Sequence, residues 1–140
     1  MNNEELRNKV HSAMCVLIKG KGVASPIDVL MAVGVLSKAD YDSWRNGHVF
    51  YLERVCRVNL KKLSFINREI RLYAKKHNLK PSWTDYRKWG KGEKTRLRFS
   101  KSGDEQMERL YATHYISQRK VAEAASRKAN KQAVNSPASM

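Results

Sequence analysis

A mostly helical α+β domain is the fold class this sequence predicts, and three observations carry it. From Asn3 to His77 apolar residues recur at helical spacing, broken by Gly, Pro and Asn where helix ends are expected. From Trp83 to Phe99 the spacing changes to alternation around "GKGEK", the pattern of a β-hairpin. With 140 residues and 41% hydrophobic content, the chain can bury one core of ordinary size. The domain is placed at 1–116, and a basic Ala/Ser/Lys-rich tail, partly helical or disordered, at 117–140.

The first helix follows Leu6, Val10, Ala13, Met14 and Leu17 and stops at Gly20 and Gly22. Ser25 caps the second, with Pro26 in the first turn, where a missing N–H costs nothing, and Gly34 closing it. Ser37 caps a third, with Tyr41 and Trp44 three apart and a stop at Gly47. The segment from Leu52 to His77 reads in two ways. As one helix, it gathers Leu52, Cys56, Leu63, Ile66, Ile70 and Tyr73 on a core face, with Arg54, Arg57, Lys61, Arg68, Arg71 and Lys75 opposite. Alternatively Asn59 caps a new helix at Leu60; this break is preferred, and it leaves Lys61, Arg68, Arg71 and Lys75 as the basic stripe.

Pro81 ends helical geometry, and Trp83, Thr84, Tyr86 and Trp89 favour a strand. With Leu97 and Phe99 turned inward and Arg96 and Arg98 outward, a hairpin is expected at 82–100, packing Trp83 and Trp89 on its inner face. Ser102 or Asp104 then caps a closing helix that buries Met107, Leu110, Tyr111 and His114 or Tyr115. A winged-helix-like arrangement, with the hairpin as wing, would accommodate these elements.

Charge points to a class of partner. The chain carries 28 Lys and Arg against 13 acids, and sixteen of those bases lie between Arg54 and Lys101 with three acids. Such a field attracts phosphate backbones, since each phosphate neutralised releases counterions. Lys61, Arg68, Arg71 and Lys75 are expected to position phosphates, while Arg87, Lys88, Lys91, Lys94, Arg96, Arg98 and Lys101 form a hairpin grip. Tyr86, on the face opposite the tryptophans, is the candidate for stacking on an unpaired base. The second and third helices have the cadence of a helix-turn-helix, in which Ser43, Arg45 and Asn46 would reach base edges. Ser100, Ser102 and Gly103, just before a helix, offer backbone N–H groups to a phosphate, although the acids after them compete for that place.

Other chemistry finds little support. His11, His48, His77 and His114 are scattered, Cys15 and Cys56 have no CxxC spacing, and no acids form an evident pair. No catalytic residue, metal or cofactor is expected, and the cysteines read as buried, reduced thiols of a cytoplasmic protein. No window approaches the about 18–20 apolar residues of a membrane span, so a membrane is not expected as partner. Val58, Phe65 and Leu72 recur at sevens off the main core face and would serve a homodimer or a protein partner if they are bare.

Several stretches together resemble a family of uncharacterised bacterial proteins. They are "SPIDVLMAVGVL", the Trp44–Gly47 "WRNG" leading to "YLERV", "LKPSWTDY", and "LRFSKSGD" followed by Glu108, Tyr111, Thr113 and His114. The family pattern runs W-x-x-G, L-E, G-L-x-P-S-x-T-x-Y, then L-R-F-S-K-S-G-D with E-x-x-Y-x-T-H. The likeness covers Ala24 to Tyr115, and this chain departs from it at Phe50, where Pro is usual, and at Asn78, where Gly is usual. It implies a shared domain and no activity, and it directs attention to the hairpin-to-helix junction. The expected function is therefore non-enzymatic nucleic-acid binding, DNA ahead of RNA because a wing suits a duplex. The alternative is an adaptor docking on an acidic protein or a ribonucleoprotein, and a nucleic-acid-processing enzyme is more remote.

Overall fold

The computed structural model describes the backbone of residues 2–134 and the side chains up to residue 129. Helix α1 spans Asn3–Lys21, capped by the Asn2 side chain at Glu5 N–H and closed by Gly22 in the left-handed region. A two-residue strand, β1 (Val23–Ala24), leads into α2 (Pro26–Val33), which Ser25 caps. After the turn at Gly34, Ser37 caps α3 (Lys38–Arg45). A single 3₁₀ turn at Leu52–Val55 precedes α4 (Leu60–Lys76). Asn59 caps α4 by accepting from Lys62 N–H at 2.9 Å, so the expected break in the Leu52–His77 segment is present. Strand β2 (Lys80–Trp83), helix α5 (Glu105–Ala112), strand β3 (Thr113–Ile116) and helix α6 (Gln118–Val134) complete the order.

The fold is α+β and mostly helical, with one antiparallel three-stranded sheet ordered β1-β3-β2. Ala24 lies opposite Tyr115 on one side of β3, and Pro81 lies opposite it on the other. Pro81 can occupy β2 because that strand is an edge, where a missing donor breaks no ladder. Helix α1 packs on α2 and α4, and α2 also packs on α5. Leu6, Val10, Ile27, Leu30, Leu63, Ile66 and Ile70 fill the space among the helices. A second, aromatic part of the core joins Trp44, Tyr86, Phe99 and Tyr111. The ring centroids of Trp44 and Phe99 are 5.0 Å apart, and Phe99 stacks on Tyr111 at 5.5 Å.

Three expectations are corrected. The 82–100 hairpin is reduced to one bridge, Arg87 to Arg96, with Leu97 N–H donating to Tyr86 C=O and Lys88 N–H to Thr95 C=O. Gly90 and Gly92, both with φ of 95°, bend the chain between the two sides, and no regular ladder forms beyond the bridge. The strand Lys80–Trp83 pairs with β3 instead, so the sheet and the loop are separate features and no wing extends the sheet. The closing helix ends at Ala112, and residues 113–116 form the central strand of the sheet, with Tyr115 buried and His114 half-buried. Beyond it, residues 118–134 are helical, with Val121 the one side chain not exposed from Gln118 to Ala129; residues 135–140 lie outside the described residues.

Candidate nucleic-acid interface

Helix α4 presents the clearest charged surface. Lys61, Arg68, Arg71 and Lys75 are all exposed, and none of their side chains makes an ion pair or hydrogen bond among the described residues. The one acid of the helix, Glu69, is turned inward and is 5% exposed. Its carboxylate accepts from Arg7 Nε at 2.8 Å and lies 3.2 Å from His11 Nε2. Burial alone would push that carboxyl up; the hydrogen bonds and charges of Arg7 and His11 outweigh burial and hold it below the usual range. The outer face of α4 is therefore cationic, with no exposed carboxylate of the helix itself to cancel it. Gln118 Nε2 donates to Asn78 C=O at 2.7 Å, which brings the basic start of α6, with Arg119 and Lys120, beside the C-terminal end of α4.

The 84–101 loop is organised otherwise than expected. Asp85 accepts from Arg87 Nε at 2.5 Å and from Arg96 Nε at 3.0 Å. The Arg87 hydrogen bond, the two guanidinium charges and the Arg96 hydrogen bond hold the Asp85 carboxyl below its ordinary value. Arg98 turns back on its own loop, donating from Nε to Ser100 C=O at 2.8 Å and from Nη2 to Lys101 C=O. The aliphatic stem of Lys88 lies over Gly47, where a Cβ would come within 2.9 Å of Lys88 Cε. Of the expected grip, Lys91, Lys94 and Lys101 are left exposed without a side-chain partner among the described residues.

Tyr86 is not a stacking platform. It is 7% exposed, its hydroxyl is 2.7 Å from His114 Nε2, and its ring touches Trp44 and Phe99. The exposed rings of the 83–101 stretch are instead Trp83, at 53%, and Trp89, at 39%. The alternation through 83–89 is kept, with Trp83 and Trp89 on one side and Tyr86 and Lys88 on the other, but it is the Tyr86 side that faces the core. The Arg96 guanidinium lies 5.3 Å over the Trp83 ring, and that of Arg45 lies 4.7 Å over Trp89.

The candidate base-reading residues are also engaged. Arg45 is held between Trp89 and Tyr86, and its backbone carbonyl accepts from Trp89 N–H at 2.7 Å. Its buried Nε has no hydrogen-bond partner among the described residues. Asn46 donates its side-chain amide to Asp42 C=O, and Ser43 is half-buried with its carbonyl accepting from His48 N–H. Only Asn46 is exposed, so the helix-turn-helix readout lacks the row of free polar groups it needs.

The loop before α5 is filled from within. Glu108 accepts from Phe99 N–H at 2.9 Å, Ser100 N–H at 2.7 Å and Ser100 Oγ at 2.6 Å. Glu53 accepts from Lys101 N–H at 2.9 Å and from the Tyr111 hydroxyl at 2.7 Å. Burial pushes the Tyr111 phenol upward and Glu53 adds to it, so this proton stays on the phenol. Gly103 N–H donates to Ser100 Oγ and Asp104 N–H to Ser102 Oγ. Carboxylates and serine hydroxyls of the chain itself occupy the Ser100, Lys101, Gly103 and Asp104 donors that a phosphate would use, and Ser100 is 1% exposed.

No family profile, curated protein or solved structure matches the chain. The residues that carry the resemblance noted in the sequence nevertheless acquire a physical role: Glu53, Ser100, Glu108 and Tyr111 form one hydrogen-bonded junction, and Trp44 Nε1 joins it by donating to Arg98 C=O at 2.8 Å. At Asn78, where the pattern has Gly, φ is 53°.

Val58 and Phe65 are half-buried against the core, and Leu72 is 48% exposed. The apolar stripe proposed for a partner thus has one bare member. Cys15 and Cys56 are half-buried free thiols, and burial, with Glu53 nearby, pushes the Cys56 thiol up to about 12. Among the described residues no three His, Cys, Asp or Glu cluster as a metal site would require, and no helix is long and apolar enough to cross a membrane.

Proposed function

We propose that this protein is a non-enzymatic nucleic-acid-binding protein that holds phosphates on the outer face of α4. The observation that carries the reading is the single sign of charge on that face: Lys61, Arg68, Arg71 and Lys75 are exposed and unpaired among the described residues, and Glu69 is consumed inside. A solubilising surface would be served equally by mixed charges, whereas a polyanion needs one sign along one line. The basic start of α6 and the free Lys91, Lys94 and Lys101 add to the field. Arg87, Arg96 and Arg98 are taken up by internal partners and no wing extends the sheet, so duplex DNA, single-stranded DNA and RNA enter the test on equal terms.

The experiment is a salt titration of binding with a variant in which Lys61, Arg68, Arg71 and Lys75 are all replaced by Gln. Wild type is expected to show a steep fall of log K with log salt. The variant loses affinity, and its slope flattens by about 0.9 for each duplex phosphate contact removed. A folded variant with wild-type affinity and slope would take α4 out of the interface.

A further inference from the structure

We propose that the cleft between residues 83–97 and α5 takes one unpaired nucleobase, stacked on the Trp83–Arg96 pair and held at its edge by Arg109 and Glu105. The proposal draws on the nucleic-acid reading for the strand that would supply the base, and its test keeps the two apart.

The cleft has a volume of about 180 Å³, below the about 300–1,000 Å³ of drug-sized pockets and suited to a single flat ring system. Its floor is apolar: Leu97, Phe99 and Ala112 are buried beneath it. Its wall is the exposed indole of Trp83, with the planar guanidinium of Arg96 over it. Such aromatic and guanidinium planes hold splayed-out bases.

Charge at the cleft selects a neutral ligand. Both Asp85 oxygens are taken by Arg87 and Arg96, and both Glu108 oxygens accept from the Phe99–Ser100 backbone and hydroxyl. Glu105 and Arg109 remain, one turn apart on α5, and neither side chain makes an ion pair or hydrogen bond among the described residues. A bare anion would face Glu105, and a cation would face Arg96 and Arg109. A neutral heterocycle bearing both acceptors and N–H donors on its edge satisfies both groups, and that is the chemistry of a nucleobase. The base could belong to a strand or to a free nucleotide.

The full chain is titrated at fixed salt with a short single strand, its duplex, the same strand carrying abasic sites, and free GMP and AMP. Trp83→Ala and Arg109→Ala, both changes at exposed side chains, are compared with wild type after circular dichroism has shown that they fold. The intact single strand is expected to bind more tightly than the abasic one. Trp83→Ala removes about tenfold of affinity for the intact strand and leaves abasic and duplex binding unchanged; Arg109→Ala acts in the same direction. Mononucleotides that bind as tightly as the strand, and lose binding in Trp83→Ala, would assign the cleft to free nucleotides. Folded variants that bind every probe like wild type would overturn the cleft while leaving α4 untouched. Failure of every strand to bind, with mononucleotides still held, would overturn the α4 reading alone; failure of both overturns the cleft as well.

Discussion

At the scale of single residues, the junction between the loop and α5 shows how carboxylates in a strongly basic protein are spent. Glu108 satisfies three donors of Phe99 and Ser100, and Glu53 ties Lys101 to Tyr111. These donors lie in a part-buried place where water cannot fully replace a lost acceptor. Glu108→Ala is therefore expected to lower stability by about 1–3 kcal/mol, read from the midpoint of urea unfolding at unchanged m-value. A change within a few tenths of a kcal/mol would mean that solvent already reaches Ser100. These side chains were visible in the sequence as a motif, but their partners were not: Glu53 and Lys101 are far apart in the chain, and only the fold brings the carboxylate to the amide.

Element ends are the level at which local sequence and structure agree best. Asn2, Ser25, Ser37 and Asn59 all cap the helices that follow them, because a short polar side chain before an apolar period has a local task. The end of α4 adds a test. Asn78 is the one non-glycine residue with positive φ among the described residues, and it follows the C-terminal cap of that helix. Asn78→Ala should cost about 1 kcal/mol, whereas Asn78→Gly should not lower the thermal midpoint. The strands were less legible. Val23–Ala24 is too short to show a period, and "THYI" continues a helical pattern so closely that nothing local marks Ala112 as an end. Its strand form comes from pairing with two distant segments. Burial, slightly offset by the Asp28 charge, holds the His114 imidazole on β3 below its ordinary 6.5. The unfolded chain therefore takes up a proton more readily than the folded one. The contribution of His114 is complete above pH 6.5 and declines as pH falls through the lower folded value. Thermal midpoints between pH 8 and 5 should fall towards acid, and His114→Gln should remove that part of the fall.

For the whole molecule, the candidate interface was half legible. The stripe on α4 follows from helical spacing and an inward acid, and it survives folding. The loop charges did not, because counting cations cannot show that Asp85 neutralises two of them or that Arg98 bends onto its own backbone. The topology also separates two truncations. A chain ending at Ser117 keeps the sheet and loses α6, whose described side chains bury little, and it should fold with a thermal midpoint within a few degrees of wild type. A chain ending at Ala112 loses β3 and should not give a cooperative melt, as far-ultraviolet circular dichroism would show.

That central strand has a consequence for biosynthesis. Both of its neighbours, at 23–24 and 80–83, are synthesised before residues 113–116. Nascent protein must therefore wait, with two short sheet edges unsealed and the aromatic interior open, until translation is nearly through this region. A stall shortly before β3 would present quality-control machinery with a sticky, protease-sensitive intermediate, whereas a chain released with β3 in place would not.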